Sequence, residues 1–384
     1  MAIDVSIASC DKYDFIQCKQ ALLQIIQQID GLSWVKPGMT IAVKANLVSQ
    51  MKPELAATTH PTILCALTQI LVERGASVVI GDSPGGLYTR PYVRAIYRAT
   101  GMEDVTAYGA DLNDDFSQVL ADFPAGKVCK SFPYTGYLAK CDGIINVCKL
   151  KTHGMMGMSA AAKNLFGVIP GTVKPEYHFK YSNPADFARM LVDLNDYVNP
   201  NLSIVDGIVG MEGNGPTSGT PRQIGMVACA QIPHKLDLLC AALLGLDKSK
   251  VPTLEAAFER GYIPATVEQL EISGDWQSKI VADYETLDAQ SSLLFTGMGD
   301  SLTHRVRGKF IQNVISPKPA LRKSKCIGCK KCSDICPAKA IEMVNNIPKI
   351  KYKQCIHCFC CQEFCPVGAM EVRRSPLAKI LQPL

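Results

Sequence analysis

The sequence predicts an α/β protein: a large layered domain with a mostly parallel sheet, followed by a small α+β unit rich in cysteine. Three observations predict it. Short runs rich in Val and Ile alternate with longer stretches of helical apolar spacing over the first three hundred residues, as strands and helices do in stacked layers. More than half of the seventeen cysteines crowd into the last sixty residues. The length, 384 residues, accommodates one large core with an appendage.

In chain order, strands are expected at "MTIAVKAN" (39–46), "ASVVIGD" (76–82), "GIINVCK" (143–149), "NLSIVDG" (201–207) and "QIGMVACA" (223–230). Helices are expected from Pro61 to Arg74, Pro184 to Val198 and His234 to Leu244, where apolar residues recur at helical spacing. Sheets of this type bind ligands beyond the carboxyl ends of their strands. The segments after the strands are therefore where chemistry is expected.

Composition sets the outer limits. Apolar residues make up 47% and charged residues 20%, with few aromatics, which argues against long disorder and against a stacking groove for nucleic acid. A net charge of +5 suits an acidic partner protein or an anionic small molecule and is too small to argue for nucleic acid. The opening "MAIDVSIASCDKYDF" lacks the basic lead and apolar stretch of a signal peptide, and no apolar run reaches membrane-spanning length. Cysteines crowded at one end of a large chain favour metal ligation in a reducing cytoplasm over a disulfide scaffold.

The cysteine run carries the most specific signal. Cys326, Cys329, Cys332 and Cys336 follow Cys-x2-Cys-x2-Cys-x3-Cys and precede Pro337; Cys355, Cys358, Cys361 and Cys365 repeat the spacing and precede Pro366. Three thiolates two residues apart wrap one cube, while the fourth reaches across to the other. The ligand sets are then crossed: Cys326, Cys329, Cys332 and Cys365 for one [4Fe-4S] cluster, and Cys355, Cys358, Cys361 and Cys336 for a second. Structural zinc is the weaker reading, because zinc takes closed tetrahedral sets without a doubled Cys-Pro ending. The segment resembles a bacterial two-cluster ferredoxin domain. Cys360 fits neither register and reads as a buried spare thiol, as do the eight cysteines of the large domain, with Cys148, beside Lys149, the least certain among them.

Four segments after the expected strands are chemically unusual. The first holds Lys44 and Asn46; the second, "GDSPGG", places Asp82 and Ser83 before a turn whose backbone suits close approach to a ligand or anion. The third brings Lys149, Lys151, His153, Lys163 and Asn164 close together, with Lys174 and His178 soon after. A solvated basic face is the ordinary reading of a lysine run. Here the lysines are interspersed with Gly, Ala and Met, and "SAAAKNLFGVIPG" is too apolar for a surface helix, so a pocket for a phosphate or carboxylate is the better expectation. His153 and His178 lack metal-site spacing and read as proton donors or as hydrogen-bonded core histidines, and Met155, Met156 and Met158 as packing. Asp206 and Glu212 flank the fourth segment, whose "GNGPTSG" reads as mobile or ligand-shaping; either acid serves as an acid or base, or caps a turn.

On "VKANLV", "THP" at 59–61, "GDSPGG", "KLKTHGMMGMSAAAKNLFGVIPG", His178 and "IVDGIVGMEGNGPTSG", the chain resembles the domain-of-unknown-function family 362, many of whose members end in a two-cluster ferredoxin domain. The resemblance implies the architecture and a redox context, and no catalytic residues. The expected division is a large α/β domain over 1–304, a basic Pro-containing linker over 305–322 and a two-cluster ferredoxin domain over 323–384. The leading expectation is a cytoplasmic iron–sulfur electron-transfer protein or reductase, acting with a redox partner protein or on a small acidic substrate. The alternatives are a non-redox metal-cofactor enzyme or maturation factor, and a binding module for an acidic protein. Fold-level analogy adds a homodimer.

Overall fold

The computed structural model describes residues 2–287 and 317–373. Of the expected linker, residues 305–316 lie outside the described residues, as do 374–384 of the expected ferredoxin domain. The strands of the large domain are β1 (Val5–Ser9), β2 (Thr40–Lys44), β3 (Ser77–Gly81), β4 (Ala110–Leu112), β5 (Gln118–Asp122), β6 (Ser131–Thr135), β7 (Gly143–His153), β8 (Gly157–Ser159), β9 (Leu202–Glu212), β10 (Thr220–Ala230) and β11 (Ile272–Ser273). Its α-helices are α1 (Phe15–Gln28), α2 (Pro61–Val72), α3 (Arg90–Ala99), α4 (Gly136–Ala139), α5 (Ala161–Asn164), α6 (Lys174–Lys180), α7 (Pro184–Val198), α8 (Pro233–Leu243) and α9 (Pro252–Glu259).

The main sheet runs β11-β1-β10-β9-β7-β2-β3-β4, with β8 folded back on β7, and β5 and β6 form a separate hairpin. The pairs β2–β3, β2–β7, β3–β4 and β7–β9 are parallel. Only β8 and β10 run against the rest, and β1, antiparallel to β10, returns to the common direction. The carboxyl ends of β1, β2, β3, β7 and β9 therefore open on one edge.

Strand β7 shows how sequence makes the layers. Ile145 and Val147 face one way, into a core with Leu22 and Ile25 of α1 and Leu64 and Leu67 of α2. Cys148 and Leu150 face the other way, against Leu236 and Leu239 of α8. Alternation along a strand puts successive side chains on opposite faces, so both faces of this strand need cover. The sheet is accordingly sandwiched between helices. The first-face alternation continues past Val147 as Lys149, Lys151 and His153, where apolar gives way to basic.

In the C-terminal unit β12 (Lys318–Leu321) pairs antiparallel with β15 (Met370–Arg373), and β13 (Ile341–Val344) with β14 (Ile347–Ile350). Residues 318–321, expected in the linker, are thus part of this unit's sheet. Single helical turns α10 (Lys331–Asp334) and α11 (Cys360–Glu363) follow the cysteine loops.

The "GNGPTSG" segment, expected to be mobile or ligand-shaping, is instead the seat of this unit. Gln362 Nε2 donates to the carbonyls of Asn214 and Gly215, each at 2.8 Å, and Val372 N donates to Asn214 Oδ1 at 3.2 Å. Thr217 Oγ1 donates to the Glu363 carbonyl at 3.1 Å. Phe359 joins the large domain's core beside Met155 and Met156. Gly85 of "GDSPGG" meets Phe364 so closely that a Cβ there would lie 2.5 Å from a ring carbon. The glycine admits the ferredoxin-like unit at that position, and Gly85 also lines a cavity with Ser83, Lys163 and Glu363.

Candidate functional site

Two thiol-lined cavities lie in the C-terminal unit. Cys326, Cys329, Cys332 and Cys365 line one, and Cys336, Cys355, Cys358 and Cys361 line the other together with Cys360. The first and fourth cysteines of each run are thus brought to different cavities. Cys332, Cys336, Cys361 and Cys365 share one apolar cluster with Ile341 and Met370, so the two cavities are neighbours. Backbone N–H groups of Ala340 and Ala369 point at Cys336 Sγ and Cys365 Sγ, at 3.2 and 3.1 Å. Such donors stabilise thiolate charge, which a bound cluster requires of its ligands. Four thiols around each apolar cavity, with an amide donor on one of them, fit a [4Fe-4S] cluster. The sets differ in exposure: in the first Cys329 is exposed and Cys332 buried, whereas in the second Cys358 and Cys361 are buried and Cys336 and Cys355 half-buried, with Phe359 beside them packed in the large domain's core.

Beneath this second thiol set, at the carboxyl edge of the sheet, lies a cavity of about 50 Å³. Asn46, Asp82, Ser83, Lys151, His153, Ser159, Lys163, Asn164 and Lys174 line it, together with Glu363 from the C-terminal unit. Sequence reasoning placed most of these in one pocket, but as a loop. Lys151 and His153 sit instead on β7, which runs four residues further than expected, Ser159 on the β8 return, and Lys163 and Asn164 on α5, while Asn46, Asp82 and Ser83 follow β2 and β3 and Lys174 opens α6. Asp237 of α8 fixes α5 by accepting from Ala161 N at 2.6 Å and Ala162 N at 3.1 Å. That cap turns Lys163 and Asn164 into the cavity.

The lysines are buried, contrary to the ordinary reading of a basic run, and each is held differently. Lys44 sits behind the cavity and donates to Asp82 Oδ1 at 2.7 Å, while Asp82 Oδ2 accepts from Leu47 N at 2.9 Å. Gly167 packs on this pair, leaving no space for a side chain: a Cβ there would come 2.5 Å from Lys44 Nζ. Lys151 Nζ donates to Asn46 Oδ1 at 2.7 Å and to the Ala57 carbonyl at 2.5 Å. Lys174 Nζ donates to the Ser83 and Ile169 carbonyls at 2.7 and 2.6 Å. Lys163 Nζ makes no hydrogen bond or ion pair with a described residue and lies 5.0 Å above the Phe166 ring. Burial lowers all four ammonium pKa values, in Lys151 and Lys174 to about 7, despite the pull of Glu363 on Lys151 and of Asp82 on Lys174.

Amides hold the arrangement in register. Asn46 Nδ2 donates to Asn164 Oδ1, and Asn164 Nδ2 to Asn146 Oδ1, each at 2.8 Å. His153 Nδ1 accepts from Met155 N and Met156 N at 3.1 and 3.2 Å. Its proton is thereby assigned to Nε2, a buried donor without a partner among the described residues. Burial, with Lys163 next, keeps this imidazole neutral by pushing its pKa well below the usual value.

Four candidate site residues, Lys149, Asp206, His178 and Glu212, lie outside this cavity. Lys149 donates to Asp206 Oδ2 at 2.9 Å and to the Tyr13 hydroxyl at 2.6 Å, and Tyr13 donates to Asp206 Oδ1 at 2.8 Å. Tyr13 stacks on His60 at 3.6 Å, which closes Lys149 and Asp206 into a network of their own. His178 stacks on Phe187 at 4.5 Å inside the core. Glu212 makes a partly exposed ion pair with Arg222. Sequence reading missed Glu363, which three-dimensional docking alone brings to the cavity, and the Tyr13–His60 pair, whose members are 47 positions apart with no spacing signal.

The family model described as "Domain of unknown function (DUF362)" matches residues 41–242, and a "4Fe-4S dicluster domain" matches residues 318–366. A "Thylakoid-associated protein" of Synechocystis sp. is 30% identical over 276 residues, covering 70% of this chain and 83% of that protein. The lactate racemase apoprotein of Thermoanaerobacterium thermosaccharolyticum aligns with a TM-score of 0.43 and 13% identity, over 64% of this chain and 58% of that one. No described helix is long and apolar enough to cross a membrane. The chain is an iron–sulfur protein with a 4Fe-4S dicluster domain, and it belongs to the DUF362 family.

Proposed function

We propose that the protein carries single electrons between a redox partner protein at its surface and a small acidic molecule in the buried cavity. The observation that carries this reading is the order of the three compartments. The outer thiol set is exposed at Cys329, the inner set holds buried Cys358 and Cys361 beside Phe359, which packs in the large domain's core, and Glu363, two residues after Cys361, lines the basic cavity. In this reading Cys326, Cys329, Cys332 and Cys365 ligate one [4Fe-4S] cluster, and Cys336, Cys355, Cys358 and Cys361 the second. Bound clusters of this type exchange one electron each at potentials set by burial and by hydrogen bonds to sulfur. The remaining work belongs to the chain. Lys163 and His153 Nε2 supply free donors to an anion, Asn46 and Asn164 fix the wall, and the docked C-terminal unit excludes water. Partner docking falls to the exposed lysines around Cys326 and Cys329. The cytoplasm is the proposed location, since thiol-ligated clusters persist in a reducing compartment.

Anaerobic purification with iron and sulfide analysis, followed by reductive titration and electron paramagnetic resonance, tests the reading. About eight irons per chain are expected, with reduced-cluster signals, and Cys329→Ala should lose about half of both. Clusters that form but resist reduction would sink it. The site would then be that of a non-redox metal-cofactor enzyme or maturation factor with structural or sensory clusters.

A further inference from the structure

The cavity's charges do not balance. Lys44 is matched by Asp82, but the partners of Lys151 and Lys174 are neutral oxygens, and Lys163 has none among the described residues. Among the described residues Glu363 is the one further carboxylate lining the space. Three ammonium groups against one carboxylate leave a surplus of about two positive charges among these side chains when all are ionised, which the thiolate charge of a bound inner cluster, outside the cavity wall, offsets only in part. Lys151 is 1% exposed, Lys163 8% and Lys174 9%, so water does little to offset the rest. Two donors, Lys163 Nζ and His153 Nε2, are left without acceptors among the described residues. A cavity of about 50 Å³ holds roughly four water-sized groups, the scale of one compact oxyanion.

We propose that this cavity is a binding site for a small dianion, such as a dicarboxylate or a phosphate-like oxyanion, held by Lys163 Nζ and His153 Nε2 in the field of Lys151 and Lys174. The inference rests on the reading of the cavity as the substrate site and adds the ligand's charge. It also adds a proton requirement. With the cavity lacking an anion, burial disfavours the ammonium forms; a dianion restores them, so binding takes up protons from solution near neutral pH. Besides a bound inner cluster, the charged groups that face these lysines are few. Glu363, Lys163, Lys149 and Asp82 act on Lys151, and Asp82, Lys44, Glu363 and Lys163 on Lys174. Lys163 feels Glu363, Cys360 and Lys44, while His153 feels Lys163, His178 and Lys151. The acids among them are already present before the ligand arrives.

Calorimetry on the anaerobically purified full chain, with its clusters, tests this. Sulfate, phosphate, oxalate and malonate are titrated against the monoanions chloride, formate and acetate at pH 7.5, in two buffers of different ionisation enthalpy. At least one dianion should bind once per chain, at least tenfold tighter than any monoanion, with net proton uptake that shrinks at pH 6. Lys163→Met should weaken that binding at least tenfold, while Lys130→Met at the surface leaves it unchanged. Equal affinity for monoanions, binding without proton uptake, or binding indifferent to Lys163→Met in a variant that keeps its cluster signals would overturn the proposal. If Lys163→Met does not fold, proton uptake and charge selectivity in the unaltered protein decide it. Reductive titration of the same samples separates the two claims. Reducible clusters with no dianion selectivity overturn this inference alone, and dianion binding beside irreducible clusters overturns only the electron-transfer reading.

Discussion

In the large domain Lys44, Lys149, Lys151, Lys163 and Lys174 lie buried at the carboxyl edge of the sheet, whereas in the C-terminal unit Lys323, Lys325, Lys330 and Lys331 stand exposed around Cys326 and Cys329. Residues 318–373 carry eleven lysines and arginines against four acids, a surplus of seven that exceeds the whole chain's net charge of +5. The rest of the chain is therefore mildly acidic although it contains the basic cavity. The difference teaches that net charge and site charge are separate quantities. Exposed lysines create a long-range field that salt screens, while buried ones act over a few ångströms and must each be held or neutralised.

The sharpest way to break the comparison is to remove one counter-charge from each region. Asp82→Ala leaves Lys44 buried without its partner and should cost about 3–5 kcal/mol in chemical denaturation. Lys331→Met, on the exposed rim, should stay within about 0.5 kcal/mol. Comparable losses would mean that the burial difference has no energetic content.

The join between the regions comes next. Gly85→Val would drive a side chain into Phe364, and overpacking of this kind costs about 1–3 kcal/mol. Faster proteolysis of the C-terminal unit from the seat around Asn214 is the expected readout, and an unchanged digestion rate would argue that the contact is loose.

A pH series sharpens the contrast further. Lys151 and Lys174 have folded pKa values lowered to about 7 by burial, so above pH 7 the unfolded chain binds more protons than the folded one. Their destabilising effect is full below pH 7 and fades as the pH rises toward the ordinary lysine value. Stability should therefore climb by about 2 kcal/mol between pH 7 and 8, about 1 kcal/mol for each lysine, before the buried thiols, which burial holds protonated, begin to oppose the rise. The double variant Lys151→Met with Lys174→Met should flatten that slope. Removing exposed Lys323 and Lys325 should not.

The smallest effect belongs to the rim. Reduction of the protein by an acidic ferredoxin in stopped flow should slow several-fold in the double variant Lys323→Glu with Lys325→Glu at low salt, and by much less at high salt. Equal rates at both salt concentrations would place the electron entry elsewhere.

Legibility in the sequence followed the range of the interactions. The doubled cysteine spacing is local, and the thiols meet in the two sets it implies. The strands at 39–46, 76–82, 143–149, 201–207 and 223–230 were legible because apolar runs between helical stretches are local too. Strand β1, the small edge strands β4 and β11, and helix α1 were not anticipated, and neither was the reversal of β10, since strand direction is a property of pairing. Within the site, Lys151, His153, Lys163 and Asn164 could be grouped because fourteen residues contain them, while Lys149, equally near, turns out to serve Asp206 and Tyr13. Nothing in the spacing separates Lys149 from Lys151. A slip in pairing does: β7 pairs Lys149 with Asp206 and Lys151 with Met211, so two positions apart on one strand meet five apart on its neighbour.

By itself, then, the sequence determined the α/β layering, the two crossed cysteine sets and a concentration of lysines after the third strand. Each is written in short-range pattern. Only the tertiary structure decided that those lysines are buried, which of them keep a counter-charge, and that Glu363 and Phe364 of the C-terminal unit close the space above them. Burial and charge balance depend on atoms hundreds of residues apart, and the physical cost of an unmatched charge exists only once the chain has folded around it.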